Sequence, residues 1–262
     1  MSAARVQDTA RAVAYLAAHP GEAIDRFRSK IEHSRDRQER RSADYRPSPD
    51  SERRLHELLG APLPCPAAQE FDAVWSNLER SLATSSSYVG EWVHDADPGM
   101  ARIVWCIVRH LRPEKVVETG VARGITSRVL LEALDRNGAG GLWSVDLPML
   151  RSRWHEQTAA AVPLDRRSRW TYVRGSSRRR LPGLLAELGE IDLFIHDSAH
   201  TESNMRYEFE TAWPALRPGG VLLSHDITMN AAFHDFAAAA PGEPLFARYP
   251  DGRGLVGVLV KP

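Results

Sequence analysis

Val116-Val117-Glu118-Thr119-Gly120-Val121-Ala122-Arg123-Gly124 is followed by a helical stretch carrying Thr126, Ser127, Val129, Leu130, Leu131 and Leu134, and then by Trp143-Ser144-Val145-Asp146. An apolar run ending in a carboxylate, a glycine-rich turn, a helix and a second strand ending in Asp describe a βαβ unit with a nucleoside site. Gly120 and Gly124 let the backbone bend sharply and approach a ligand closely. The helix that begins near Gly124 aims unpaired N–H groups and the positive end of its dipole at the turn, which suits a carboxylate or phosphate. Asp146 is placed to accept from both hydroxyls of a ribose. The expected ligand is an adenosine-containing cofactor.

From Pro98 onward helices alternate with short apolar strands, the pattern of a parallel sheet covered on both faces. Strands are expected at 115–118, 142–145, 170–173, 192–196, 221–224, 245–249 and 255–260. Helices are expected at 100–111, 127–134, 153–161, 181–188, 202–216 and 231–239. Pro250-Asp251-Gly252-Arg253 reads as a hairpin turn, so the sheet should end in an antiparallel pair. The expected fold is α/β: a Rossmann-like doubly wound sheet of seven strands with a C-terminal antiparallel hairpin strand, preceded by a helical region.

That helical region occupies residues 1–96, with the cofactor-binding domain at 97–262. Helices are expected at 10–18, 22–44, 50–59 and 69–82, separated by His19-Pro20-Gly21, Arg46-Pro47-Ser48-Pro49 and a proline-rich stretch at 61–66. The second helix is crowded with Arg, Asp and Glu and has few apolar positions beyond Ile24, Phe27 and Ile31. Such a run is a solvated face, or else a lid, an acceptor-site wall or a dimerisation arm.

The 262 residues carry 34 basic and 34 acidic side chains, so no whole-molecule field draws the chain to nucleic acid or an anionic membrane. Cys65 and Cys106 are too few for a disulfide framework or a cysteine metal site and read as plain thiols in a reducing compartment. No apolar run is long enough to span a bilayer, and no secretory signal is recognised; the expected location is cytoplasmic.

At this point the chain resembles the class I S-adenosylmethionine-dependent methyltransferases over roughly residues 98–262. Glu118 to Gly124 is similar to that family's first motif, with Ala122 where the middle glycine is expected. Asp146 matches the ribose-binding acid, and Leu216-Arg217-Pro218-Gly219-Gly220-Val221 the glycine turn into the fifth strand. Gly175-Ser176-Ser177 falls where the adenine is usually contacted. The resemblance implies S-adenosyl-L-methionine held by Glu118, Thr119, Gly120, Gly124, Asp146, Ser176 and Asp197. Ile195-His196-Asp197-Ser198-Ala199-His200 and Ser224-His225-Asp226-Ile227 resemble bacterial small-molecule O-methyltransferases acting on sugars and other natural-product hydroxyls, several of them magnesium-dependent. In those enzymes one acid after the fourth strand and an acidic pair after the fifth hold the ion. Asp197 and Asp226 match, while His225 replaces the first acid of the pair.

Methyl transfer to a hydroxyl requires an in-line nucleophile and removal of its proton. Asp197, Asp226 and His225 are the candidate ligands of a divalent cation, Mg2+ by the resemblance, which would lower the hydroxyl's pKa. His200 is the candidate general base, because imidazole titrates near the operating pH, with Asp197 and His225 beside it; a nitrogen ligand at His225 would favour a transition metal. Plain structural roles stand beside these: Asp197 as a helix cap, His200 as a surface or capping histidine, His196 as a core histidine, and His225 with Asp226 as a hydrogen-bonded pair. Arg178-Arg179-Arg180 marks an acidic substrate or partner, or a solvated turn. Trp75, Tyr88, Trp92 and Trp105 form an acceptor wall or helix-core packing. The expected partner is a small hydroxylated acceptor, with a homo-oligomer open. Two rival functions are an NAD-dependent oxidoreductase, disfavoured by the glycine spacing and the terminal hairpin, and a catalytically inactive scaffold working through its N-terminal helices.

Overall fold

In the computed structural model the chain is described at residues 3–39, 41–84, 98–150, 157–248 and 254–262. Seven strands form one sheet: β1 (Lys115–Thr119), β2 (Gly141–Asp146), β3 (Trp170–Arg174), β4 (Ile191–His196), β5 (Leu216–Ser224), β6 (Leu245–Arg248) and β7 (Leu255–Val260), in the order β3-β2-β1-β4-β5-β7-β6. The first five are parallel; β7 runs antiparallel to β5 and to β6. This is the expected doubly wound sheet with its terminal antiparallel pair. The hairpin residues 250–253 lie outside the described residues.

Alternation along each strand sends side chains to two cores. Val116, Leu142, Leu193, Ile195, Val221 and Leu223 face one layer, where α3 (Ser51–Leu58), α4 (Ala68–Thr84), α5 (Pro98–Leu111) and α6 (Ile125–Asn137) pack. Val117, Val145, Phe194 and Leu222 face the other, covered by α7 (Ser177–Leu188), α8 (Glu202–Ala212) and α9 (Ala232–Ala239). Trp105 is fully buried in the first layer, donates Nε1–H to Ala67 O at 2.9 Å and packs on Phe71, on which Trp75 stacks in turn. Those two tryptophans belong to helix packing; Tyr88 and Trp92 lie outside the described residues.

Several element boundaries differ from expectation, each for a local reason. Residues 157–161 form turns instead of the end of a helix: Ala159 N–H donates to Ala122 O and Ala161 N–H to Arg123 O, so the segment is spent clamping the glycine turn. Residues 151–156 lie outside the described residues. After α8 the chain tightens at Trp213–Ala215, where Pro214 cannot continue an α-helix, and β5 begins five residues early because Leu216 pairs with Ile191. Upstream, α1 covers Ala3–Ala18 and α2 covers Pro20–Gln38. The expected continuation of α2 to Asp44 is replaced by extended chain that Tyr45 anchors on Phe246 and His234, and Ser48 N–H donates to Phe246 O.

Amphipathicity in α2 is inverted. Ile24, Phe27 and Ile31 are exposed, whereas Glu22, Asp25 and Glu32 turn inward. Glu32 pairs with Arg178 at 3.0 Å and Asp25 with Arg179 at 2.9 Å, so the acidic partner of the arginine run is this helix. Arg26 reaches Pro148 O, and Asp36 accepts from the Glu202 N–H. The helix is thereby laid beside the loops that follow β2, β3 and β4.

Parallel register aligns the strand ends: Thr119 stands opposite Val145 and His196, and His196 opposite Ser224. Gly120, Asp146, Asp197 and His225 therefore emerge at one edge, at the point where strand order reverses. Gly120 has φ +85°, and a Cβ added there would stand 2.0 Å from the Asp197 carbonyl oxygen. Gly120→Ala is expected to cost roughly 3 kcal/mol or more, combining backbone collision with an unfavourable φ. Gly138→Ala, at φ +72° with nothing within 4 Å, meets only the second cost, about 1 kcal/mol. Denaturant melts of the two variants check the contrast.

Candidate active site

The turn after β1 is built on Glu118, which is fully buried. Ser127 Oγ and Ser144 Oγ both donate to its Oε2 at 2.6 Å, tying β1 to α6 and β2, while Oε1 has no partner among the described residues. Burial outweighs those two hydroxyls and lifts its pKa from 4.5 to about 8. Thr119 is equally enclosed, and its hydroxyl donates to Glu208 Oε2 at 2.5 Å. Both side chains thus brace the turn from beneath. Gly124 is in the left-handed region and caps α6 without a side chain, and a Cβ on it would press on Val162 and Ala159. Ala122 sits at φ +46°, a conformation that favours glycine, with its methyl group exposed.

Asp146 closes the other side. Its Oδ1 accepts from the Val121 N–H at 3.2 Å and its Oδ2 from the Tyr172 hydroxyl at 3.0 Å. Burial raises its pKa against these hydrogen bonds. The Ala122 N–H also bonds this carboxylate, which keeps acceptor capacity for a ligand hydroxyl, and the uncapped start of α6 offers N–H groups to an anion. This donor and acceptor set fits the ribose and the carboxylate of an adenosyl amino acid. Tyr172 could not be found from the sequence, because only the pairing of Ser144 with Tyr172 puts its ring beside Asp146. Ser176, expected at the adenine, donates its hydroxyl to Asp25 Oδ2 at 2.8 Å, which joins α2 to this edge.

Past β4 and β5 the polar residues converge. His225 Nδ1 lies 3.0 Å from Asp197 Oδ1, 3.6 Å from Asp226 Oδ2 and 3.4 Å from His200 Nε2; His200 Nε2 is 3.8 Å from Asp197 Oδ1. Asp197, His200 and His225 each offer an atom within 4.8 Å of the others, a set able to hold a cation; Asp226 stands at its margin. Asp226 occupies the left-handed region at φ 48°. Although burial opposes it, the charge and hydrogen bond of His225 hold Asp197 below the usual carboxylate range. Burial and the neighbouring His196 push His200 down to about 3, so its imidazole is neutral at ordinary pH. That departs from the expectation of a histidine titrating near neutrality. The cap of α8 is Thr201, which accepts from Asn204 N–H, so Asp197 is not spent as a helix cap.

Beneath this cluster lies Glu208, invisible in the sequence as anything but one acid in a helix. It is fully buried and accepts from Thr119, His196 Nδ1 (2.6 Å), Ser198 Oγ (2.7 Å) and Asn204 Nδ2 (2.9 Å). Against the upward push of burial, His196 and the hydroxyl donors bring it to about 2. His196, expected in the core, is there: its ring stacks edge-on against His200 at 5.2 Å.

Residues 117–227 match the family model described as a methyltransferase domain. A comparison by sequence with curated proteins finds no match. Among solved structures the chain is similar to a protein of Klebsiella pneumoniae described as an O-methyltransferase, at 17% identity and TM-score 0.53, covering 80% of this chain and 96% of that one. It is similar to the O-methyltransferase of Bacillus cereus in complex with SAH, at 15% identity and TM-score 0.51 over 80% and 96%. A third likeness is the SAH-bound methyltransferase of Podospora anserina, at 13% identity and TM-score 0.51 over 84% and 100%. At these identities the likeness is one of fold.

Glu118 gives the site a pH signature. Because its folded pKa is raised above 4.5 to about 8, the native state holds a proton that the unfolded chain has released across that window. Its contribution is therefore complete below pH 4.5 and is lost as pH rises toward 8. Glu118→Gln should flatten this decline, leaving a variant whose stability relative to wild type improves by on the order of 2 kcal/mol between pH 5 and pH 8. Urea denaturation at the two pH values measures it.

Proposed function

We propose that this chain, whose residues 117–227 match a methyltransferase-domain model and whose fold is that of solved O-methyltransferases, is a class I S-adenosylmethionine-dependent methyltransferase that methylates a hydroxyl of a small molecule with help from a divalent cation. The observation carrying this reading is the convergence of Asp197, His200 and His225 against the glycine turn. Bound at this edge, S-adenosylmethionine would supply a methyl group on a sulfonium, activated for transfer to an acceptor oxygen.

The protein's share is positioning and proton handling. Asp146, braced by Tyr172 and the Val121 N–H, orients the ribose. Asp197, His200 and His225 would hold the cation. One carboxylate oxygen and two imidazole nitrogens suit a borderline ion such as zinc or iron better than magnesium, which prefers oxygen ligands. The neutral state of His200 fits a ligand, since only the free lone pair binds. An acceptor hydroxyl beside a cation loses its proton more readily, and Asp226, beside His225 and outside the ligand trio, is the neighbouring carboxylate that can take it. A saccharide or another polyhydroxylated natural product is the proposed acceptor class.

Calorimetry with S-adenosylmethionine should show Asp146→Ala weakening binding by roughly 10- to 100-fold; equal binding in wild type and variant would sink the cofactor assignment. With acceptors screened by mass gain of one methyl group, exhaustive chelation should abolish turnover and a divalent ion should restore it. Asp197→Asn and His225→Ala should each lower kcat by about 10²- to 10⁴-fold, whereas turnover unaffected by chelation would exclude the cation.

A further inference from the structure

The two cysteines lie far from that cluster in sequence and meet each other. Cys65 Sγ and Cys106 Sγ are 3.5 Å apart in the core layer of α3 to α6, too far for a disulfide bond of about 2.05 Å. His110, one turn beyond Cys106 on the same face of α5, places Nε2 3.4 Å from Cys65 Sγ. His56 comes from α3, its ring edge-on to His110 with centroids 4.9 Å apart.

His56 is 1% exposed, and its Nδ1 lies 2.7 Å from the Pro62 carbonyl oxygen. A carbonyl only accepts, so the ring proton sits on Nδ1 and Nε2 carries a bare lone pair. Among the described residues that Nε2 has no hydrogen-bond partner. A buried acceptor without a donor is costly, and a histidine whose far nitrogen is fixed by a carbonyl is the usual arrangement of a metal ligand.

We propose that His56 Nε2, Cys65 Sγ and His110 Nε2 hold a structural zinc ion, with Cys106 as the adjacent fourth ligand. The first three residues each offer an atom within 4.8 Å of the others. Tetrahedral zinc, with bonds of ~2.3 Å to sulfur and ~2.0–2.1 Å to nitrogen, sets ligand edges of about 3.3–3.8 Å. The sulfur–sulfur and sulfur–nitrogen separations of 3.5 and 3.4 Å already lie in that range. Thiolate and imidazole donors are the set zinc prefers. Bound there, the ion fastens the loop between α3 and α4 to α5, behind the sheet and apart from Asp197, His200 and His225.

Cobalt reads this site alone, because a thiolate-to-cobalt charge-transfer band requires sulfur, which the other cluster lacks. Full-length protein kept reduced, loaded with Co2+ and freed of excess metal should show that band with about one cobalt per chain at this site, and Asp197→Asn should keep it. Cys65→Ser and His56→Gln should each lose most of the band and the retained zinc, measured by elemental analysis. Wild-type protein with two titratable thiols and no band overturns the proposal, as does a band undiminished in Cys65→Ser or a Cys65–Cys106 disulfide in place of the thiols. The wild-type measurement is decisive even if a variant fails to fold.

Discussion

Gly120 has room for a hydrogen and for nothing larger. Its Cα is pressed on the carbonyl of Asp197, and the same turn receives Asp197 N–H on Thr119 O and donates its own N–H to Val145 O. The ends of β1, β2 and β4 are thereby fixed to one another at the point where the sheet changes direction. The position of Asp146 relative to Asp197, and so of any ribose relative to any acceptor, follows from that contact. Such tightness is available because a parallel sheet covered on both faces holds its strand ends in register.

Two buried glutamates support this edge in opposite protonation states. Among the described residues Glu118 has two hydroxyl donors and no cationic partner, and burial wins, giving a largely protonated side chain at neutral pH. Glu208 has four donors including His196, and they win, keeping a carboxylate in the core. The balance turns on the neighbouring charge, that of His196 foremost, and on the hydrogen bonds the charged form receives. Above Glu208, the His196–His200 ring contact carries this ordered network to the cluster that faces the crevice.

The helical N-terminal region is joined to the sheet by two kinds of contact. On one side α3 and α4 contribute Leu55, Phe71 and Val74 to the core that also holds α5 and α6. On the other, α2 offers acids to arginines at the start of α7, where three consecutive cations oppose the helix dipole and gain from anionic partners. These pairs are partly exposed and individually weak. Their effect is orientation, setting α2 beside the loops that carry Ser176 and Thr201.

The sequence alone was enough for the βαβ core, the number of strands, the antiparallel end and the positions of Gly120, Asp146, Asp197 and His225, because strand period, glycine turns and strand-end acids are local signals. Segments whose conformation is set by distant partners depart from their local pattern: residues 157–161, held by the glycine turn, and the chain after α2, held by β6. Tyr172, Glu208 and the inward acids of α2 became functional candidates only through register and helix docking. The same holds for His200, whose chemistry follows from its burial beside His196 and not from its identity as a histidine. Tertiary structure alone brought His56, Cys65, Cys106 and His110 together, since their approach depends on how α3 and its loop pack on α5. Residue type and spacing specify local geometry, whereas solvation, partner and protonation state are properties of a packed neighbourhood.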